Sequence, residues 1–339
     1  MERTWSARLE RHPLALSAFA ALLAVAVAVG MALAAGPAAV ITRVEGIKPI
    51  WIAVAAGARL ASYLGYALAH RRVTADCASS ELEAQTAARV VAFGAGATSV
   101  KGGFSIDVRA LRGAGASPSQ ARAHVAALAL LEYVVLALAG WISALVLIGR
   151  PGVQAVAVWP WAIGVPAGVL LAALAWPRLR ARTRGGRAGA RLSSVVRGVE
   201  ILAREWRHPA RAGAAVAGMT LYWAAEAGAL WAALRGFGIS CAPSIAILGC
   251  ATGYVLTPRG LPLAGAGITE ALVPVSLMWL GVPLAAAVPA ALAAELTRLG
   301  VSLPLAGATR HEVHQLVGLE RRVRRGTRKR RRAASAAGR

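Results

Sequence analysis

Long blocks of apolar residues, separated by short polar stretches, make up most of this chain. A helix needs about 20 predominantly apolar residues to cross the hydrocarbon of a membrane. The pattern therefore predicts an all-α polytopic membrane protein with about eight membrane segments. The blocks are Leu14–Ala35, Ile50–Ala69, Val125–Ile148, Val153–Trp176, Ala212–Leu234, Ile239–Leu256, Ile268–Leu280 and Leu284–Ala306.

The basic residues are concentrated in two of the polar stretches. Ten arginines lie between residues 177 and 211, and ten more lie from Arg310 onward, whereas the turns at 36–49 and 149–152 are nearly uncharged. Because short basic loops stay on the cytoplasmic side, we expect the 177–211 loop and both termini to be cytoplasmic. The predicted organisation is a first membrane half (1–176), a cytoplasmic basic linker (177–211), a second membrane half (212–309) and a basic cytoplasmic tail (310–339).

Part of the basic linker has helical periodicity. Apolar residues recur there at helical spacing among arginines, a pattern that predicts an amphipathic helix lying on the inner leaflet. A soluble connector helix fits the same spacing. The apolar positions are Leu192, Val195, Val199, Leu202 and Trp206.

One apolar region is interrupted where a plain membrane helix is not feasible. Residues 256–270 read LTPRGLPLAGAGITE. Non-helical backbone at membrane depth needs protein or a water-filled cavity to satisfy its polar groups, and the carboxylate of Glu270 marks the segment as a candidate functional site. We interpret Ile245–Leu280 as a hairpin that enters from outside and bends at Pro258–Gly267. We predict that Ala84–Gly113, which contains Gly102 and Gly103, forms a second hairpin that enters from the cytoplasmic side.

The two halves of the chain are similar around Gly115 and Gly281. Each glycine begins a turn that leads into an alanine-rich span, and 17 residues later the first copy has Glu132 and the second has Arg298. The two spans should run in opposite directions. The pattern therefore predicts an inverted repeat of two halves, with a ligand site at the repeat interface.

Several charged residues are candidates for this site. Arg109 and Arg259 lie in the two interrupted segments and are candidate headgroup ligands. Arg298 either pairs with Glu295 on the same helix face or binds a lipid phosphate, for which arginine is well suited. A third alternative pairs Arg298 with Glu132 across the repeat interface.

Three further polar residues lie within or beside the predicted spans. Glu226 should face the interior of the bundle, because a carboxylate in lipid is costly. Arg59 either pairs with Glu226 or extends towards the membrane surface. His124, at the entry to a span, fits a hydrogen-bonded interface residue better than a proton carrier.

Composition removes several classes of function. The net charge of +23 is typical of some nucleic-acid-binding proteins, but the basic residues lie between and after the apolar blocks, where attraction to anionic lipid explains them. We expect no nucleic-acid partner. The three scattered cysteines predict neither a disulfide framework nor a metal site. The sequence has no HExxH, GxSxG, P-loop or paired aspartate motif, so we expect no cofactor and no enzyme activity.

The glycines and charged residues of both halves resemble a known pattern. It is that of the lysylphosphatidylglycerol synthase transmembrane family, whose flippase-type domain has a PGGxGxxE motif, a Gly-Val turn and a span with an arginine. The match departs from the motif at Pro262, one position early, and at Ala264. The chain carries no soluble aminoacyltransferase domain up to Arg339, so we do not expect lipid aminoacylation. The matching residues are Gly102, Gly103, Gly115 and Glu132 in the first half, and Gly265, Gly267, Glu270, Gly281, Val282, Arg298, Leu303, Pro304 and Gly307 in the second.

The resemblance implies a multi-pass protein of the bacterial plasma membrane that handles lipid. We therefore predict that the chain binds an anionic phospholipid or a polyprenyl-phosphate lipid and translocates it between leaflets. The candidate site comprises Glu270, Arg298, Glu132, Arg259, Arg109, Gly265, Gly267, Gly102 and Gly103. The alternative is a non-transporting scaffold subunit for a cytoplasmic enzyme of envelope synthesis, such as a glycosyltransferase or a lipid-modifying enzyme.

Overall fold

The protein is helical throughout the part of the chain that its structure describes. The computed structural model describes residues 13–75, 91, 103–184, 189–255, 268–305 and 307–309, and every regular element in these ranges is an α-helix. The all-α prediction is confirmed for these ranges. In chain order the helices are α1 Pro13–Ala35, α2 Pro37–Glu45, α3 Pro49–Thr74, α4 Gly103–Gly113, α5 Pro118–Leu147, α6 Ala155–Arg184, α7 Ala190–Glu205, α8 Pro209–Gly236, α9 Pro243–Val255, α10 Ile268–Trp279 and α11 Leu284–Thr309.

Proline fixes where many of these helices begin. Its missing N–H is one of the groups that a helix start leaves unbonded, and its fixed φ suits the first turn. In α5 the start is reinforced, because Ser117 and Gln120 exchange side-chain and backbone hydrogen bonds in a capping box. The helices that begin at a proline are α1, α2, α3, α5, α8 and α9.

The number of clear membrane spans is smaller than the sequence predicted. Among the described residues four helices, α3, α5, α6 and α11, are long and apolar enough to cross a membrane, and α1 with α2 makes a fifth if that bent pair is one span. The chain is therefore a helical membrane protein with four or five such spans, and the predicted eight are not confirmed.

The remaining apolar blocks form helices that differ in length or polarity. Helices α9 and α10 have 13 and 12 residues in the described part of the chain, and residues 256–267 between them lie outside it. Helix α8 has 28 residues but contains Glu226 and several glycine and aromatic residues. Glu226 faces Arg59 of α3, a placement that a mean hydropathy does not register.

Helices α3 and α8 form the closest helix pair of the bundle. They run antiparallel and touch backbone to backbone at Gly65 and Gly218. A Cβ atom on Gly65 would lie 2.6 Å from the Gly218 carbonyl oxygen, and one on Gly218 would lie 2.7 Å from the Gly65 carbonyl oxygen. Leu128 and Leu131 of α5 pack against this pair in a buried core that includes Met219.

The ends of the helices fall into two groups. The backbone N–H of Lys48 donates to the Gly236 carbonyl, and that of Gln154 donates to the Trp279 carbonyl. The start of α3 therefore meets the end of α8, and the start of α6 meets the end of α10. We call this end of the bundle the turn end. The turn at 114–117 lies at the opposite end of α5, where His124 contacts the Val73 carbonyl. We call this the basic end.

Helix α7, within the predicted basic linker, packs beside the N-terminal half of α5. Gly198 lies against the backbone of Ala126 and Ala127, where a Cβ atom would come within 2.8 Å of the Ala127 nitrogen. Val195 and Trp206, two of the predicted apolar-face residues, are 43% and 62% exposed. The apolar positions of α7 are therefore divided between a face docked on α5 and an open edge.

Candidate functional site

One face of α3 carries most of the polar groups that enter the bundle. Arg59, Ser62, Tyr66 and His70 recur at intervals of three or four residues, which places them on the same side of a helix. Arg59 and His70 are buried. Gly65 lies between them, so the close contact with α8 separates two polar clusters.

The first cluster, the arginine cluster, consists of Arg59, Glu226, Glu295 and Arg298. The Arg59 guanidinium pairs with the Glu226 carboxylate and donates a second hydrogen bond to the Ala294 carbonyl at 3.1 Å. Arg298 Nε donates to Glu295 Oε2 at 2.8 Å, and Glu295 also lies within electrostatic range of Arg59. The cluster joins α3, α8 and α11, and its two positive and two negative charges cancel.

The arginine cluster decides between alternatives that the sequence left open. The pairing of Arg59 with Glu226 is confirmed, and so is that of Arg298 with Glu295. The pairing of Arg298 with Glu132 is wrong. It fails because Glu295 lies one turn from Arg298 on the same helix, while Glu132 faces a different set of side chains.

The second cluster, the carboxylate cluster, consists of His70, Asp107, Glu132, Tyr66 and Tyr254. All three ionisable members are almost fully buried, with 1%, 4% and 2% exposure for His70, Asp107 and Glu132. His70 Nε2 lies 3.6 Å from Asp107 Oδ1, and the Tyr66 hydroxyl donates to Asp107 Oδ2 at 3.5 Å. The Tyr254 hydroxyl donates to the Glu132 carboxylate.

Aromatic rings pack around the carboxylate cluster and fix its geometry. The Trp223 indole N–H donates to the Glu132 backbone carbonyl at 3.0 Å. The Trp223 and Tyr254 rings meet edge to face at 4.3 Å between centroids, and Tyr222 lies between Trp223 and Tyr66. His124, about two turns before Glu132 on α5, bonds the Val73 carbonyl at 2.7 Å, as expected for a satisfied interface residue.

The carboxyl of Asp107 has an environment that disfavours its charged form. Its helix, α4, is amphipathic and is not among the candidate spans. Burial raises the pKa of Asp107 to about 7, the negative charge of Glu132 acts in the same direction, and the hydrogen bond from Tyr66 opposes both. Asp107 can therefore gain or lose a proton near neutral pH.

The predicted site residues are distributed unevenly over this structure. Glu132 lies inside the carboxylate cluster and Arg298 inside the arginine cluster. Arg109 is exposed on α4, Gly103 is the first residue of α4, and Glu270 is in the first turn of α10. Gly102, Arg259, Gly265 and Gly267 lie outside the described residues.

Sequence reasoning missed three members of the clusters: His70 and Asp107, which are buried, and Tyr254, which is partly buried. His70 was assigned to the end of a span, whereas α3 continues to Thr74. Asp107 shares the buried face of α4 with Ala110 and Leu111 at helical spacing. That spacing was a usable signal, because it places Asp107 inside and Arg109 outside.

The chemistry available to the two clusters is that of charge and proton binding. In the described part of the chain, no three histidine, cysteine, aspartate or glutamate residues are close enough together to hold a metal ion. The guanidinium groups can bind an anion if they release their glutamate partners. The carboxylates and His70 can bind a proton or another small cation.

Comparison with known proteins does not assign the chain to a family. No family model matches the sequence, and no curated protein matches it. The resemblance to the lysylphosphatidylglycerol synthase transmembrane family, stated above from the motif residues, stays a prediction.

Proposed function

We propose that this protein binds an anionic phospholipid or a polyprenyl-phosphate lipid within the membrane and translocates it between leaflets. In this proposal the chain has about eight membrane segments, two of them in re-entrant hairpins, arranged as an inverted repeat. The observation that carries the proposal is the match between two helix–turn–helix units of opposite direction.

The two units share a turn of the same design. Gly115 and Gly281 have φ angles of +99° and +87°, a conformation that favours glycine. In both turns the residue after the glycine donates its N–H to the carbonyl five residues earlier, from Ala116 to Leu111 and from Val282 to Leu277, each at 3.0 Å. A helix of 11 or 12 residues precedes each turn, and a long helix begins three residues after each glycine.

The units point in opposite directions. Helix α5 ends at the turn end of the bundle, where Gly152 lies against Gly281 at the start of the turn into α11. Helix α11 therefore starts where α5 ends, and the two run antiparallel. Glu132 and Arg298 lie 17 residues after their turn glycines, so each cluster receives one charged residue from the corresponding position. This arrangement supports an inverted repeat with a site between the halves.

A short antiparallel helix pair supports the hairpin of the second half. Gly249 and Gly253 of α9 lie against Leu277 and Val273 of α10, where a Cβ atom would approach within 2.8 and 2.5 Å of side-chain carbons. The start of α9 and the end of α10 both lie at the turn end. The segment between them holds Arg259, Gly265 and Gly267, the proposed headgroup contacts, and lies outside the described residues.

Binding of a lipid phosphate would take place by exchange of partners in the arginine cluster. Arginine binds phosphate and carboxylate through the same pair of parallel N–H donors. A phosphate that displaces Glu295 from Arg298 leaves a half-buried carboxylate without its partner, which Arg59 is near enough to stabilise. In one state the cluster can therefore bind an anion, and in another its arginines pair with its own glutamates. Alternating access requires two such states.

Native mass spectrometry with identification of co-purified lipid tests the proposal. The informative variant is the double substitution Arg298→Gln with Glu295→Gln, because it removes the pair without leaving one buried charge unpaired. Arg180→Gln with Glu200→Gln is the matched control, since that pair is exposed and lies 3.2 Å apart at the linker. We expect the wild type and the control to retain a defined anionic lipid. The Arg298/Glu295 variant should retain at least tenfold less of that lipid per protein. Equal retention of bulk phospholipid by all three proteins would contradict the proposal.

The open edge of α7 favours the scaffold as a second candidate function. Val195 and Trp206 are exposed beside Arg197 and Arg204, which suits a partner surface or anionic lipid. If the protein is a scaffold, Trp206→Ser with Val195→Ser should abolish recovery of a cytoplasmic partner, while the Arg298/Glu295 variant should leave it unchanged. Loss of partner recovery in the second variant would count against the scaffold.

A further inference from the structure

His70 is a buried side chain with unmet hydrogen-bonding capacity. It is 1% exposed, and among the residues that the structure describes neither ring nitrogen has a hydrogen-bond partner. A buried polar group without a partner costs free energy, so such a residue in a folded protein calls for a physical reason. Its Nε2 points at Asp107 Oδ1 from 3.6 Å, beyond hydrogen-bonding distance but within reach of a small rearrangement.

We propose that His70 and Asp107 form a proton-binding site, and that uptake and release of this proton accompany the conformational cycle of the protein. This inference rests on the proposed lipid translocation and adds the ion to which it is coupled. The proton binds at Asp107 Oδ1. In the state where the pair draws together, the same proton lies between Oδ1 and His70 Nε2, and its departure leaves the aspartate ionised and the imidazole neutral.

The surroundings of the pair favour a proton over a metal ion. Two groups act on Asp107 from neighbouring helices: the Tyr66 hydroxyl on α3 donates to it, and the Glu132 carboxylate on α5 adds a negative charge. Tyr254 on α9 donates in turn to Glu132, while Arg109 and Arg112 lie on α4 itself. The two carboxylates are held by tyrosine hydroxyls, and metal-ligand geometry is absent among the described residues. A tyrosine hydroxyl stabilises a carboxylate by a hydrogen bond but carries no positive charge that would hold the carboxylate ionised. The carboxyl can therefore still bind and release a proton.

The position of the pair connects it to the proposed repeat. Asp107 lies on α4, eight residues before Gly115, and His70 lies on α3 beyond the Gly65–Gly218 contact. A shift of α4 relative to α3 changes the Asp107–His70 distance directly, because each residue is on one of the two helices. The proton occupancy and the relative position of these helices are therefore linked.

Infrared spectroscopy of the purified full-length protein in nanodiscs of phosphatidylglycerol and phosphatidylethanolamine measures this proton. We expect a buried protonated carboxyl band that disappears with a midpoint near pH 7 and is absent in Asp107→Asn. Glu45→Gln is the matched control, because Glu45 is exposed at the turn end, and it should leave the band unchanged. Tyr66→Phe should raise the midpoint, since it removes a donor that stabilises the ionised form.

The outcomes separate the proton site from lipid binding. A band that persists in Asp107→Asn, or a midpoint unaffected by both Tyr66→Phe and His70→Gln, overturns the proton site. If lipid is retained in the mass spectra while no carboxyl titrates, the coupling fails and lipid binding stands. If the carboxyl titrates as expected while no defined lipid is retained, the proton site stands and the lipid proposal fails. Na⁺ can also be added at fixed pH. Loss of the protonated carboxyl band as Na⁺ rises would show that Na⁺ competes for the site, and it would overturn the assignment to a proton alone.

Discussion

Individual glycines decide how close the central helices approach. Gly65 and Gly218 each fill a position where any side chain would collide with the facing backbone. The contact aligns Arg59 with Glu226 on one side and places Tyr66 beside Tyr222 on the other. A glycine is therefore required here for packing, although its φ is ordinary.

We expect Gly65→Ala to destabilise the protein by about 1–3 kcal/mol, the usual cost of overpacking a filled core. Gly57→Ala is the matched control on the same helix, because a Cβ atom there meets nothing within 4 Å. It should be neutral or slightly stabilising, since alanine favours helix over glycine. Thermal unfolding of both variants in detergent measures the difference, and equal midpoints would show that the α3–α8 contact is not tight.

At the scale of elements, helix length and docking separate the roles of the apolar segments. Helices α5 and α11 are long and apolar enough to cross the membrane, whereas α9 and α10 pack on each other through Gly249 and Gly253. Helix α7 has the amphipathic pattern of a surface helix, yet one of its faces is docked on α5 at Gly198. Periodicity predicts that such a helix has an apolar face, and it does not say which surface that face covers.

Gly198→Leu should release α7 from α5, because the larger side chain cannot fit against the backbone of Ala126 and Ala127. Hydrogen–deuterium exchange over residues 190–205 should become at least tenfold faster, as expected for a helix that loses its packing. Ala203→Leu adds the same side chain on an exposed position of α7 and should leave the exchange unchanged. Similar exchange in both variants would mean that α7 is held by the membrane surface instead.

For the whole molecule, the distribution of charge and the arrangement of helix ends agree. The stretch 36–49, which contains α2, and the turn at 149–152 lie at the turn end, and the start of α8 and the docked end of α7 lie at the basic end. The sequence orientation rule places the basic end in the cytoplasm. The fold is consistent with that orientation because it puts the two kinds of loop at opposite ends of α3 and α5.

Labelling of single cysteines with a membrane-impermeant maleimide tests the orientation. In a variant without Cys77, Cys241 and Cys250, we expect Arg150→Cys to react in intact cells and Arg197→Cys to react only after permeabilisation. Both positions are exposed, so accessibility within the fold is matched. Reaction of Arg197→Cys in intact cells would reverse the predicted orientation.

The sequence by itself determined the class of this protein and most of its helices. Apolar blocks, prolines at helix starts and the paired glycine turns are local signals, and each acts within one or two turns of chain. The Arg298–Glu295 pair is local in the same sense, and it was predictable from its spacing. Tertiary structure alone decided which distant polar residues meet. His70, Asp107, Glu132 and Tyr254 lie on four different helices, and their contact depends on how closely α3, α5 and α8 pack. Spacing along the chain does not encode that packing, because it depends on contacts between helices that are distant in sequence, such as that of Gly65 with Gly218.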